Sequence, residues 1–184
     1  SKGLTTLGGR AFYNCDALTT VEIPKSLTET TTAHYNEGGW KDEYGVFDHC
    51  DNLKTVTFEE GTTEVAIGLF ARCYGLETIV IPDTVTVIEA EAFYLCSGLK
   101  DVTLSKATTS IHASAFEGCT SLTAIVIPDS VTEIDNWAFS GCTALADVTL
   151  SKGLTTLGGR AFYNCDALTT VEIPKSLTET TTAW

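Results

Sequence analysis

The sequence predicts a repeat solenoid of the β-rich α/β class, with about seven coils of 23 residues. Cysteine recurs every 23 residues, phenylalanine stands three residues before each of these cysteines, and leucine stands three residues after it. A unit of this length is too short for a pair of helices but fits one strand and a return path. The cysteines are Cys50, Cys73, Cys96, Cys119, Cys142 and Cys165, and a first copy with Phe12 and Cys15 precedes them.

The segment LxxVxI after each cysteine predicts the strand of the coil. Its apolar positions, such as Leu99, Val102 and Leu104, alternate with polar or small ones. A period of two is typical of a short strand with one buried face. The unit continues as PxxVTxI and then returns to AF, so each repeat forms one turn of the solenoid.

The combined pattern IPxxVTxIxxxAFxxCxxL resembles the BspA-like (bacterial surface antigen) subclass of the leucine-rich repeat, over nearly the whole chain. The resemblance implies a curved, right-handed solenoid with the LxxVxI strands in a parallel sheet on its concave side. It also implies a secreted or cell-surface protein that attaches bacteria to host proteins or glycans. In such a coil, the strand, the return segment and the AFxxC turn enclose a shared core.

Composition limits the possible partners. With 184 residues and 43% hydrophobic content, the chain can bury one core spread along the solenoid axis. A net charge of −13 argues against nucleic acid and anionic membranes as partners, because both need a basic face. No run of 18 apolar residues is present, so we expect no membrane insertion. Without methionine and starting within a repeat, the chain is expected to be a fragment whose signal and anchor lie elsewhere.

Two longer periods overlie the 23-residue repeat. Residues 1–33 recur unchanged as residues 151–183, which indicates recent duplication or deliberate choice of the segment. The position after the strand alternates between proline and other residues, and proline suits a point where a strand leaves the sheet. The prolines are Pro24, Pro82, Pro128 and Pro174, and the alternating residues are Glu59, Ser105 and Ser151.

The seven cysteines are interpreted as a buried column of free thiols. A disulfide framework is the alternative for a secreted protein. Because the cysteine spacing equals the coil, however, the side chains point the same way into the core and behave as small apolar residues. No CxxC or HxxxH spacing accompanies them, so no metal site is expected.

No catalytic motif or cofactor site is predicted. The histidines His34, His49 and His112 occupy different coil positions, and His49 beside Cys50 is a poor nucleophile pair because Cys50 belongs to the core. Glu89 and Glu91 are interpreted as solvated charges. We therefore expect a non-catalytic protein.

The concave sheet is one candidate binding surface. Its outward positions carry mostly threonine and small side chains, without the tyrosine, tryptophan and arginine that interface centres favour. Threonine also has a plain strand preference. The candidate residues on this face are Thr55, Thr78, Asp101, Thr103 and Asp147.

The second candidate surface is a 12-residue insertion between Leu27 and Phe47, at about residues 30–45, which lengthens one coil to 35 residues. Loops on a rigid frame are common binding sites, and aromatics among carboxylates stack on sugars or cations. The alternative is that the aromatics only cover exposed core. Gly38 and Gly39 predict a hairpin tip. The candidate residues are His34, Tyr35, Trp40, Asp42, Glu43 and Tyr44; calcium at Asp42 and Glu43 is poorly supported because no alternating carboxylate motif is present.

These observations favour a non-catalytic extracellular recognition or adhesion module that binds a host protein or glycan. The alternative is a structural spacer that presents another domain, which whole-block duplication suits. Uncapped apolar ends also predict head-to-tail self-association.

Overall fold

The computed structural model describes residues 3–31, 33–35, 41–43 and 45–182, with side chains for 3–31 and 45–182. The described residues form short strands and no helix. The strands are β1 (Thr6–Gly8), β2 (Thr20–Ile23), β3 (Glu29–Thr31), β4 (Ala33–Tyr35), β5 (Lys41–Glu43), β6 (Thr55–Phe58), β7 (Glu64–Val65), β8 (Thr78–Val80), β9 (Val87–Ile88), β10 (Asp101–Thr103), β11 (Ser110–Ile111), β12 (Ala124–Val126), β13 (Glu133–Ile134), β14 (Asp147–Thr149), β15 (Thr156–Leu157) and β16 (Glu179–Thr180).

The predicted parallel solenoid of about seven 23-residue coils is confirmed. Equivalent residues of successive coils pair in parallel at an offset of 23, as Ser110 does with both Val87 and Glu133. The AFxxC segment forms turns in which Cys96 N–H donates to the Phe93 carbonyl at 3.1 Å. A left-handed residue within each turn, such as Leu95 with φ 56°, prevents the turn from continuing as a helix.

The LxxVxI strands form the first stripe of the solenoid, and it is interrupted. β2 pairs with β6, β8 with β10, and β12 with β14, so ladders join coils two by two. The alternating proline coincides with the interruption, since each ladder joins a coil with proline after its strand to the next coil without it. Glu59 N–H donates to the Ile23 carbonyl at 2.8 Å, whereas proline at the same position, as at Pro82 or Pro128, has no N–H to give to the preceding coil. The two-coil period of the sequence is therefore also a period of hydrogen bonding.

The VTxI return segments form a second stripe that we did not predict as a sheet. β7, β9, β11, β13, β15 and β16 make one six-stranded parallel sheet. Its strands are only two residues long, and the buried residues of VTxI, such as Val85 and Ile88, lie three positions apart, so the segment was interpreted as a return path. The separate pair of β1 and β3 belongs to the same stripe, on the other side of the insertion.

A stack of phenylalanine rings fills the centre of the coils. Neighbouring rings lie 5.1 to 5.8 Å apart between centroids and are within 14° of parallel. Five of these rings are almost completely buried, and the repeat leucines pack around them. The stacked rings are Phe12, Phe47, Phe70, Phe93, Phe116, Phe139 and Phe162.

The cysteines are free thiols, as predicted. From Cys50 onward, each Sγ–H donates to the carbonyl of the phenylalanine one coil earlier, as Cys96 does to Phe70 at 3.0 Å. Burial raises the pKa of Cys96 to about 12. The thiol column therefore joins successive coils and is poorly reactive.

Candidate binding surface

The insertion forms the predicted hairpin. β4 and β5 pair antiparallel, with Ala33 opposite Glu43, His34 opposite Asp42 and Tyr35 opposite Lys41. Trp40, Tyr44 and the glycine pair lie outside the described residues, and only the backbone is described for the two strands. The hairpin follows the second-stripe strand β3 and precedes the AFxxC turn.

The five candidate residues of the sheet face lie on the exposed side of the first stripe, as the alternation predicts. Thr78 pairs with Asp101 across one ladder, and Asp147 pairs with Ala124 across another. Thr55 and Thr103 are likewise exposed. The structure therefore divides the predicted residues into two sets, because the hairpin belongs to a different part of the coil from the first stripe.

Grooves open where the first-stripe ladder is interrupted. The larger one, of about 470 Å³, lies between β10 and β12 and includes Asp101, Thr103, Lys106 and Pro128 in its walls. A smaller one of about 180 Å³ lies 46 residues further along, beside Thr149 and Lys152. Asp101 and Thr103 are thus brought together in one groove, whereas Asp147 does not line either.

A third surface, which we name the turn edge, runs along the AFxxC turns, from two residues before phenylalanine to one residue after cysteine. Two backbone positions recur there with φ of 55° to 73°: the second residue after phenylalanine in all seven turns, and the second residue before it in six of them. All three arginines of the chain occupy these two positions: Arg10 and Arg160 before phenylalanine, and Arg72 after it. Four of the six tyrosines also lie on the turn edge: Tyr13, Tyr74, Tyr94 and Tyr163.

One group of turn-edge side chains lies near the base of the hairpin. The guanidinium of Arg10 lies 5.0 Å from the ring centroid of Tyr13. The His49 ring contacts two tyrosine rings, with centroids 5.5 Å from Tyr13 and 5.2 Å from Tyr74. This arrangement places aromatic and basic groups together in the coils that flank the insertion.

Asp48, beneath this group, is fully buried, and neither carboxylate oxygen has a hydrogen-bond partner. Its Oδ1 lies 3.9 Å from His49 Nε2, too far for a hydrogen bond. Burial raises the pKa of Asp48, although His49, Arg72 and Arg10 oppose the shift by favouring the charged form. The charged carboxylate therefore costs stability at neutral pH.

A second group, which we name the Trp137 cluster, consists of Trp137, Arg160 and Tyr163. The Arg160 guanidinium lies 4.6 Å from the Trp137 ring centroid and 5.8 Å from that of Tyr163. The two rings meet edge to face, with centroids 6.1 Å apart. Cation–π contacts of this kind hold a guanidinium plane in a fixed orientation.

Sequence reasoning missed the turn edge because it examined the sheet pleat and the insertion. The signal was nevertheless readable, since all the arginines fall in two columns of the repeat. Tyrosine, tryptophan and arginine are the residues that interface centres favour.

Other polar groups do not suggest chemistry. His112 Nδ1 lies 3.0 Å from Glu89 Oε2 of the preceding coil. Within the described residues, no three histidine, cysteine, aspartate or glutamate side chains converge to hold a metal ion. The same ranges contain no helix with the length and apolar character needed to cross a membrane.

Solved structures with the same fold come from several bacteria. A leucine-rich repeat protein from T. pallidum is 26% identical, with a TM-score of 0.71, and the match covers 90% of this chain and 72% of that one. One from Bacteroides ovatus is 24% identical, with a TM-score of 0.66 and coverage of 97% and 49%. A leucine rich cell surface protein from Faecalibacterium prausnitzii is 24% identical, with a TM-score of 0.62 and coverage of 99% and 52%. The chain thus spans about half the length of two of these proteins.

The family follows from the repeat itself. No curated protein matches the chain. A profile of the BspA type leucine rich repeat region matches in six copies, over residues 1–38, 43–120 and 63–183. The chain therefore belongs to the BspA-type leucine-rich repeat family.

Proposed function

We propose that the chain is a non-catalytic extracellular recognition or adhesion module of a bacterial cell-surface protein, and that it binds a host protein or glycan through the turn edge and the adjoining hairpin. The observation that carries the proposal is the collection of every arginine and most tyrosines on that edge. The F. prausnitzii protein of the same fold is described as a cell surface protein, and the proposal extends that location to this chain.

The turn edge suits recognition better than the sheet face. Its backbone is held by hydrogen bonds between coils, such as Phe93 N–H to the Ala115 carbonyl at 2.8 Å. Its side chains differ from coil to coil, while the underlying turn stays the same. A backbone that is already ordered loses little conformational entropy on binding, and side chains that differ between coils can make different contacts.

A binding screen tests the proposal. The intact chain would be tested against extracellular-matrix proteins and a glycan panel, beside a variant that lacks residues 33–44 and so returns to the 23-residue period. Circular dichroism would show that both proteins are folded. We expect at least one ligand to bind the intact chain and to bind the shortened variant more weakly. Equal binding by both would exclude the hairpin, and absence of binding would contradict the proposal.

The spacer remains the second candidate, because coils paired two by two form a unit that can be repeated to any length. The ladders between β8 and β10 and between β12 and β14 have the same register. A spacer requires no ligand, so a negative screen favours it.

Head-to-tail self-association stays a prediction. Apolar side chains are exposed in the first and last described coils, including Leu4 and Ile173. Sedimentation velocity of the 184-residue chain over a range of concentrations tests it: a rising sedimentation coefficient is expected, and a constant monomer value would contradict it.

A further inference from the structure

Arg160 is a cation that aromatic rings hold in place. Its guanidinium is held over the rings of Trp137 and Tyr163, yet it makes no ion pair with any residue that the structure describes. In contrast, Lys25 pairs with Glu59 at 3.1 Å, and Lys100 pairs with Glu77 at 2.8 Å. A stacked guanidinium keeps the N–H groups at its edge available for a planar, bidentate oxyanion.

Trp137 occupies a backbone position that is unfavourable for it. Its φ is 63°, in the left-handed region, where the equivalent residue of another coil is Gly68 with φ 55°. A bulky residue is uncommon there, although the turn takes the same conformation at Glu91 with φ 59° and Ser114 with φ 56°. The turn backbone beneath is firmly held, because Trp137 N–H donates to the Gly159 carbonyl at 3.2 Å and Gly141 N–H to the Tyr163 carbonyl at 2.7 Å.

The exposure of Tyr163 depends partly on its place in the last described coils. Tyr163 is 50% exposed, and Tyr13, the same residue of the identical segment, is 46% exposed with a coil on one side only. Tyr94, at the same position with coils on both sides, is half-buried. A further coil would therefore cover part of the Tyr163 ring and leave the rest accessible to a ligand.

We propose that the Trp137 cluster binds the terminal sugar of a glycan that carries a single carboxylate. Arg160 would receive the carboxylate, and the exposed ring of Tyr163 would pack against the apolar face of the sugar. A ligand with one carboxylate is favoured over a polyanion, because the chain carries a net charge of −13, which repels polyanions. The inference rests on the proposed recognition function and assigns one ligand class to part of the turn edge.

The test is a calorimetric titration of the whole chain with a trisaccharide ending in N-acetylneuraminic acid, with lactose and inorganic sulfate as reference ligands. Arg160→Ser and Trp137→Ser are the informative variants, because Ser114 occupies the same backbone position with φ 56° and shows that serine is accommodated. Glu91→Ser, at the same position of a different coil with φ 59°, is the matched control. Arg160→Lys retains the charge without the planar fork.

We expect the acidic trisaccharide to bind and lactose not to bind. Arg160→Ser and Trp137→Ser should weaken binding at least about tenfold, as expected for loss of a charge-assisted contact. The affinity of Arg160→Lys should lie between those of Arg160→Ser and the unaltered chain. The affinity of Glu91→Ser should equal that of the unaltered chain. Equal binding of lactose, equal competition by sulfate, or full binding by Arg160→Ser would overturn the inference. If matrix proteins bind in the screen but the acidic trisaccharide does not, only this inference fails. If nothing binds, the recognition function fails with it.

Discussion

The two copies of the duplicated segment, residues 3–31 and 153–181, have the same sequence but different neighbours. In the first copy, Arg10 lies over Tyr13, beside the coil of Asp48 and His49. In the second copy, the equivalent Arg160 lies over Tyr163 and also over Trp137 of the preceding coil. The chemistry of the surface is therefore determined by which coils are adjacent, and not by the coil alone.

The cores of the two copies, by comparison, are nearly the same. Phe12 stacks on Phe47 at 5.1 Å, and Phe162 stacks on Phe139 at 5.3 Å. Every coil supplies the same ring at the same place, so any coil packs on any other. The fold thus follows from the unit, whereas the surface follows from the order of the units.

The largest expected effect is in the phenylalanine stack. Phe116→Ala should lower the free energy of unfolding by about 3–5 kcal/mol, since the ring is fully buried between two others. Phe12→Ala should cost only about 1–2 kcal/mol, because Phe12 is 40% exposed and stacks on one ring. Urea denaturation would measure both losses. Equal losses would show that the stability contributed by a phenylalanine ring does not depend on how many rings stack on it.

Asp48→Ala tests the neighbour that distinguishes the first copy. We expect a gain of about 1–3 kcal/mol at neutral pH, because the substitution removes a buried carboxylate without hydrogen bonds. Ala71 is buried at the same position of the next coil, so alanine is accommodated.

The pH dependence of the Asp48→Ala gain has a definite sign. The pKa of Asp48 is raised in the folded chain, so the folded state binds the proton more tightly and the unaltered protein becomes more stable as pH falls through that pKa. The gain from Asp48→Ala should shrink as pH falls towards 3.8, the ordinary value. A gain that grows at low pH would contradict this account of Asp48.

Glu59→Pro tests the cause of the two-coil period. The substitution removes the N–H that donates to the Ile23 carbonyl at 2.8 Å, and the ladder between β2 and β6 should weaken by about 1 kcal/mol. Glu59→Ala is the control, because it loses the ion pair with Lys25 but keeps the N–H. Hydrogen exchange of β6 should quicken in the proline variant and not in the alanine control; the same exchange in both would exclude proline as the cause.

The smallest effect concerns thiol reactivity at equivalent positions of the two copies. Cys15 is half-buried, whereas Cys165 is buried and donates to the Phe139 carbonyl at 3.2 Å. Burial raises the pKa of Cys165 to about 11. At pH 8, alkylation of Cys15 should be faster by on the order of tenfold or more, as measured by mass spectrometry of peptides. Faster alkylation of Cys165 would contradict the burial argument.

Much of the fold could be predicted because the same sequence pattern occurs in seven copies. The core columns, the first stripe and the free thiols all follow from the AFxxCxxLxxVxI pattern. The second sheet could not be predicted in the same way, because the buried residues of VTxI lie three positions apart and its strands are two residues long. The absence of a helix could not be predicted either, since residue type does not show that a residue such as Leu95 is left-handed.

The candidate site was less accessible to sequence reasoning. The hairpin was predicted from its glycine pair, and its strands are present. The Trp137 cluster joins residues 26 apart, in different positions of neighbouring coils. Their contact depends on the turn geometry, which the pattern alone does not give.

The most direct test of the account compares the turn edge with the sheet face. Binding of the acidic trisaccharide would be measured for Trp137→Ser combined with Arg160→Ser, and for Asp101→Asn combined with Thr103→Ser. The account predicts that the turn-edge variant loses binding and that the sheet-face variant binds like the unaltered chain. Loss of binding in the sheet-face variant alone would contradict it and would place recognition in the groove between β10 and β12.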